Sequence, residues 1–141
     1  MPDLATDWSW SEDGTELSFK LRRGVKWHDG KPFTAADVKC TFDLVLGKGP
    51  EKLRINPRKA WYRNLEDVTT KGDEEAVFHL HRPQPALVAL LASGYSPISP
   101  CHVSPRDMRT RPVGTGPFKF AELVRNPDYW KPGRPYLDAI E

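Results

Sequence analysis

The sequence predicts an α+β fold: a small, mostly antiparallel sheet with two main helices. Three observations carry this. Leu17 to Arg22 alternates strictly between apolar and polar side chains, the pattern of a strand with one face on a core. Thr34 to Gly47 has an apolar stripe at helical spacing, with start and stop signals at its ends. Strands adjacent in sequence are joined by short turns, which favours antiparallel pairing over a parallel α/β sheet.

The elements follow in order. Asp7 to Trp10 reads as a short strand, ended by the turn Ser11-Glu12-Asp13-Gly14. Leu17, Phe19 and Leu21 then face the core, and Ser18, Lys20 and Arg22 face water. Arg23-Gly24 breaks the strand, Val25-Lys26-Trp27 resumes it, and Asp29-Gly30 is a turn signal with Pro32 at its exit. Thr34 is placed as a helix N-cap. Asp37 can return a hydrogen bond from the third helical position, and Phe33 and Val38 stand at the two positions of a hydrophobic staple. The helix runs to about Leu46 on Val38, Phe42, Val45 and Leu46, and Gly47 is its stop.

Lys48 to Pro57 is a polar loop, and Arg58 to Asn64 a short irregular or helical piece. Leu65–Thr69 and Ala76–His81 are expected to pair through the turn Lys71-Gly72-Asp73. A second helix is expected over Ala86 to Ser93, with Pro85 in its first turn and Gly94 as its stop. Ser96 to Val103 reads as extended, Phe118-Lys119-Phe120 as a strand, and Asn126 to Tyr136 as a turn-rich aromatic tail.

Composition narrows the function classes. The 141 residues suffice for one domain with a core. With 21 basic and 19 acidic residues the net charge is +2, too balanced to argue for nucleic acid or an anionic membrane. Basic residues do gather at Arg54, Arg58, Lys59 and Arg63 and at Arg106, Arg109 and Arg111, as solvated faces often do. No apolar run is long enough to span a membrane. The N-terminal Met1-Pro2-Asp3-Leu4 lacks the basic and apolar regions of a signal peptide, so either the protein is cytosolic or the sequence begins after its signal. The two cysteines, Cys40 and Cys101, could form a disulfide closing a long loop, or could be two buried thiols.

Candidate chemistry is sparse. His28-Asp29 could be half of a catalytic pair, but neighbours on an extended chain point to opposite faces, which leaves Asp29 a turn role. His79 and His81 share a strand face, and with Cys101 and His102 they could make a metal site. Gly114-Thr115-Gly116-Pro117 lacks the spacing of a phosphate or dinucleotide loop and reads as a tight turn. No catalytic constellation emerges, and no cofactor is implied. Arg58, Trp61, Tyr62 and Tyr95 make a better candidate. The first two share a face if their segment is helical, where a guanidinium can hold a carboxylate and rings can pack on apolar parts of a ligand. The competing reading has Trp61 in the core and Arg58 merely solvated.

Several stretches taken together resemble the family 5 extracellular solute-binding proteins, the peptide- and nickel-type receptors of ATP-binding cassette (ABC) importers. They are Leu4–Trp8 with Ser11–Gly14, Phe19 through Val38, Pro112–Phe118, and Arg125-Asn126-Pro127-Asp128-Tyr129-Trp130. The resemblance implies a secreted or periplasmic binding protein, not an enzyme. Such a receptor closes two lobes on a peptide or similar small solute and delivers it to an ABC permease. It implies that residues 1–111 correspond to the extra small domain of a type II periplasmic-binding-protein-like receptor, and residues 112–141 to a segment returning to the first lobe. It also implies that the chain is less than a third of a receptor, so surfaces that pack on the rest could self-associate, led by Tyr129, Trp130 and Tyr136. Through the family's nickel-type members, Arg58 and Trp61 match a cleft-facing pair, and Tyr95 falls near another cleft position. The alternative function is a small metal-binding protein using His79, His81, Cys101 and His102. One departure from the family pattern stands out: only Ala121–Val124 links Phe120 to Arg125, where a longer strand-turn-strand is usual.

Overall fold

The computed structural model describes residues 3–50, 53, 56–120 and 124–137. It divides into two compact units, one of Met1–Arg22 with Thr34–Ile98 and one of Arg23–Phe33 with Ser99–Glu141.

The first unit is a four-stranded antiparallel sheet. Its strands are β1 (Ala5–Trp10), β2 (Glu16–Leu21), β3 (Leu65–Lys71) and β4 (Glu75–Leu80), in the order β1-β2-β4-β3. The alternation in β2 is realised as read. Leu17, Phe19 and Leu21 are buried, and Leu17 and Phe19 lie opposite Phe78 and Ala76. Phe78 collects the core, with Phe19 edge-on at 5.4 Å and Phe42 at 4.9 Å. Such edge-to-face pairs add to the gain from burial alone. The turn between β3 and β4 places Gly72 at φ 65°, the left-handed region that glycine tolerates.

Helix α1 (Ala35–Leu46) packs on β3 and β4. Its start is the expected capping box: the Thr34 N–H donates to the Asp37 carboxylate at 3.0 Å. Its end is the expected glycine. Gly47 sits at φ 77°, and the next amide, Lys48 N–H, returns to the Asp43 carbonyl at 2.8 Å. The stripe is buried at Val38, Phe42 and Val45.

Helix α2 (Leu87–Leu91) is shorter than the expected Ala86–Ser93, and Pro85 lies just before it. The reason is local. The hydroxyls of Ser93 and Ser96 both donate to the Leu90 carbonyl, at 2.6 and 2.9 Å, and turn the chain away after Ala92, before Gly94 is reached.

The second unit contains a tight hairpin-like loop over residues 25–33. Trp27 N–H donates to the Lys31 carbonyl and Phe33 N–H to the Val25 carbonyl, and Gly30 turns at φ 87°. Trp27 is 2% exposed and meets Phe33 edge-on at 5.8 Å. This unit also holds a short helix and a strand at 124–125 that are absent from the sequence reading, while the strand expected at Phe118-Lys119-Phe120 forms over its first two residues. Helix α3 (Asp107–Thr110) follows a turn closed by Ser104, whose hydroxyl donates to the Asp107 carboxylate and accepts the Asp107 N–H. Strand β5 (Phe118–Lys119) pairs antiparallel with β6 (Val124–Arg125), so a short ladder survives the shortened connection. Residues 121–123 of that connection, and Arg54 of the first basic cluster, lie outside the described residues. No described helix is long and apolar enough to cross a membrane.

Candidate functional site

Arg58 and Trp61 are presented by a single 3-10 turn, Pro57–Ala60, with Trp61 as its last cap. Asn56 fixes this turn at both ends of its own side chain. Its Oδ1 accepts the Lys59 N–H at 3.2 Å, and its Nδ2 donates to the Val45 carbonyl near the end of α1 at 2.6 Å. Tyr62, next in sequence, turns inward. It is 2% exposed, packs edge-on against Phe42 at 5.2 Å, and shares a 2.5 Å hydrogen bond with the Ser96 hydroxyl. Burying Tyr62 directs its neighbour outward, and the Ser96 bond draws the Tyr95 turn toward it. Trp61 and Tyr95 therefore meet as an edge-to-face pair at 5.8 Å while remaining 45% and 70% exposed. Arg58 is half-buried, and among the described residues its guanidinium has no ion-pair partner.

Three of the four expected residues thus offer groups to solvent, and Tyr62 offers none. Its ring belongs to the core and holds the other two aromatics in place. Ser96 and Asn56 were missed. Asn56 had a signal, standing just before Pro57 as a cap for a helical turn. Ser96 had no signal, because its role depends on a residue 34 positions away.

The metal-site alternative does not assemble. Among the described residues no group of three or more His, Cys, Asp or Glu side chains could hold a metal ion. His79 is engaged by the Thr69 hydroxyl at 2.8 Å and the Glu16 carboxylate at 3.3 Å, and His81 lies 4.0 Å from Glu66. His102 Nε2 bonds Asp29 at 2.5 Å. Neither Cys40 nor Cys101 is a free thiol, so Cys101 cannot supply a thiolate.

His28 and Asp29 go to different partners. The His28 ring grips the Gly114–Gly116 turn. Its Nδ1 accepts the Gly114 N–H at 3.2 Å, its Nε2 donates to the Gly116 carbonyl at 2.9 Å, and its backbone N–H donates to the Gly114 carbonyl at 2.9 Å. The Gly116 carbonyl also accepts from Asn126 Nδ2 at 3.2 Å, and the buried Asn126 donates its own N–H to the Pro117 carbonyl. Three stretches distant in sequence, around His28, Gly114 and Asn126, converge on one turn. Asp29 instead accepts from His102 and from the Lys31 N–H. Burial works to raise its carboxyl, but those hydrogen bonds outweigh it and hold its pKa below the ordinary value. Both side chains thus tie the 25–33 loop to other residues of the same unit.

Comparison with known proteins agrees with this architecture. The profile of the bacterial extracellular solute-binding proteins, family 5, matches residues 1–141. The oligopeptide-binding protein AppA of Bacillus subtilis is 33% identical over 147 residues, covering 92% of this chain and 26% of its own length. Among solved structures, AgaA from A. tumefaciens R10, in complex with agropinic acid, aligns with a TM-score of 0.83 at 30% identity, over 97% of this chain and 29% of that one. DppA from Helicobacter pylori, in complex with the peptide STSA, aligns with a TM-score of 0.79 at 28% identity, over 97% and 32%. The chain spans little more than a quarter of the curated relatives it matches. With the profile matching the chain from residue 1 to residue 141, the chain belongs to the bacterial extracellular solute-binding proteins, family 5.

Proposed function

We propose that this chain is part of a substrate-binding receptor that captures a peptide or similar small solute for an ABC importer and catalyses nothing. The observation that carries the reading is the exposed Trp61–Tyr95 pair beside a turn whose Arg58 has no ion-pair partner among the described residues. Rings held at a fixed angle offer apolar contact at low entropic cost, and a guanidinium gives directional binding of a carboxylate. Tyr62 acts from behind them as a positioning residue. Relatives named for oligopeptide, di/tripeptide and glutathione binding support the solute class. An ABC permease is the expected partner, and nucleic acid is not. Residues 1–111 are assigned to the receptor's small domain and 112–141 to its first lobe.

The absence of free thiols supports a periplasmic or extracellular location, since disulfides persist in oxidising compartments. Self-association belongs to the same reading. Of the three aromatics expected to lead it, Tyr136 is 79% exposed while Tyr129 and Trp130 are half-buried. Phe120 and Leu137, 59% and 60% exposed, add to Tyr136, and apolar surface of this kind favours contacts between copies. A purely monomeric sedimentation profile at high concentration would count against that part.

The test of the site uses a full-length receptor carrying this sequence. Arg58→Ala with Trp61→Ala should weaken solute binding by at least about thirtyfold, as expected for truncating hot-spot side chains, while the circular dichroism stays unchanged. Unaltered affinity would refute the assignment.

A further inference from the structure

The other side of the Arg58–Asn64 segment holds a feature that the proposed site does not use. Lys59, Tyr62 and Arg63 border a shallow depression of about 370 Å³ in the first unit. Its lining is mostly apolar, led by half-buried Leu46 at the end of α1, with only the edges of the nearly buried Tyr62 and Leu65 reaching it. Its rim is cationic. Lys48 commits its ammonium to the Glu66 carbonyl at 2.6 Å. Lys59 brings Nζ beside Gly47, to 3.5 Å from where a Cβ on that glycine would stand. That position suits a cation, because the carbonyl end of a helix carries partial negative charge. Among the described residues neither Lys59 nor Arg63 has a carboxylate partner. One acid, Glu66, lines the depression, and its carboxylate faces His81 at 4.0 Å.

We propose that this depression is a second binding site, for a small solute bearing one carboxylate on a short apolar body. The carboxylate would lie between Lys59 and Arg63, and the apolar body against Leu46 and the edges that Tyr62 and Leu65 leave accessible. The volume is at the small end of the range for ligand pockets, which suits a small solute. The cations alone would attract any anion, and the apolar lining alone any apolar group. Their juxtaposition selects a molecule with both.

The test is an amide-resolved NMR titration of this 141-residue chain with hexanoate. The expected result is saturable shifts at Leu46, Lys59, Tyr62 and Arg63, with low-millimolar dissociation. Hexan-1-ol, which lacks the charge, and acetate and inorganic phosphate, which lack the body, should each bind at least about tenfold more weakly. Lys59→Glu with Arg63→Glu should weaken hexanoate by a similar factor. Because Lys59 also faces the carbonyl end of α1, a small fall in thermal midpoint is expected, and an otherwise unchanged amide spectrum shows the fold intact. Absence of saturable shifts overturns the site. So does equal binding of phosphate or hexanol, or hexanoate binding that survives the charge reversal. Arg58, Trp61 and Tyr95 are untouched by these variants, so failure here leaves the receptor reading standing.

Discussion

The grip of His28 on the Gly114–Gly116 turn can be tested through two substitutions and their coupling. His28→Ala removes the acceptor of the Gly114 N–H and one of two donors to the Gly116 carbonyl. A part-buried amide left without a partner costs about 1–3 kcal/mol, and a lost bond to an acceptor that keeps another partner about 0.5–1.5 kcal/mol. The backbone bond from His28 N–H to the Gly114 carbonyl survives, so the expected loss is about 2–3 kcal/mol in urea unfolding. For a chain of this size that lowers the melting temperature by about 6–10 °C. Gly114→Ala is the second arm. Its backbone is outside the left-handed region, but a Cβ there would meet His28 Cε1 at 3.2 Å and push the ring off its bonds. Gly114→Ala should therefore be costly while His28 is in place and nearly neutral in the His28→Ala background, a coupling of about 1 kcal/mol or more. The fluorescence of Trp27, buried in the same unit, reports the transition. Strict additivity, or a His28→Ala loss under about 0.5 kcal/mol, would refute the grip.

Two further outcomes follow from the same geometry. Tyr62→Phe should cost about 1 kcal/mol and Ser96→Ala more, because Ser96 also donates to the Leu90 carbonyl. The double variant should cost no more than Ser96→Ala alone, since the Tyr62–Ser96 bond is then already lost; additive losses would show that the bond is not made. Acid stability depends on Asp13, whose pKa is lowered from 3.8 to about 2 by hydrogen bonds from the Ser11 and Thr15 side chains, and on Asp29, also lowered. Carboxylates depressed on folding stabilise the native state above their unfolded pKa, and that contribution is lost as pH falls through the folded one. The stability gap between the parent and Asp13→Asn should be full above about pH 4 and vanish near pH 2, and it should be modest because the site is exposed. A gap constant across that window would contradict the assignment.

Much of the first unit was legible because its signals are local. The capping box at Thr34 and Asp37, the stop at Gly47 and the alternation of β2 each lie within a few residues of the structure they determine. Helix α2 was overestimated because its end is set by Ser93 and Ser96 hydroxyls competing for the Leu90 carbonyl, which propensity does not register. Helix α3 was overlooked although Ser104 and Asp107 stand at capping-box spacing: no element was expected between Val103 and Thr115, and one four-residue turn carries no apolar periodicity. At the candidate site the sequence grouped four residues. That Tyr62 is inward follows from its packing on Phe42, a contact 20 residues distant that no spacing rule reaches.

The shared acceptor at Gly116 has a consequence for engineering. A single carbonyl receives one donor from residue 28 and another from residue 126, so neither segment can be exchanged between receptors by itself. A chimera importing a foreign loop at 25–33 must bring the matching glycine turn and its asparagine, or it inherits a lock without its key. Loops that share no acceptor in this way carry no such obligation and are the natural places to graft new specificity.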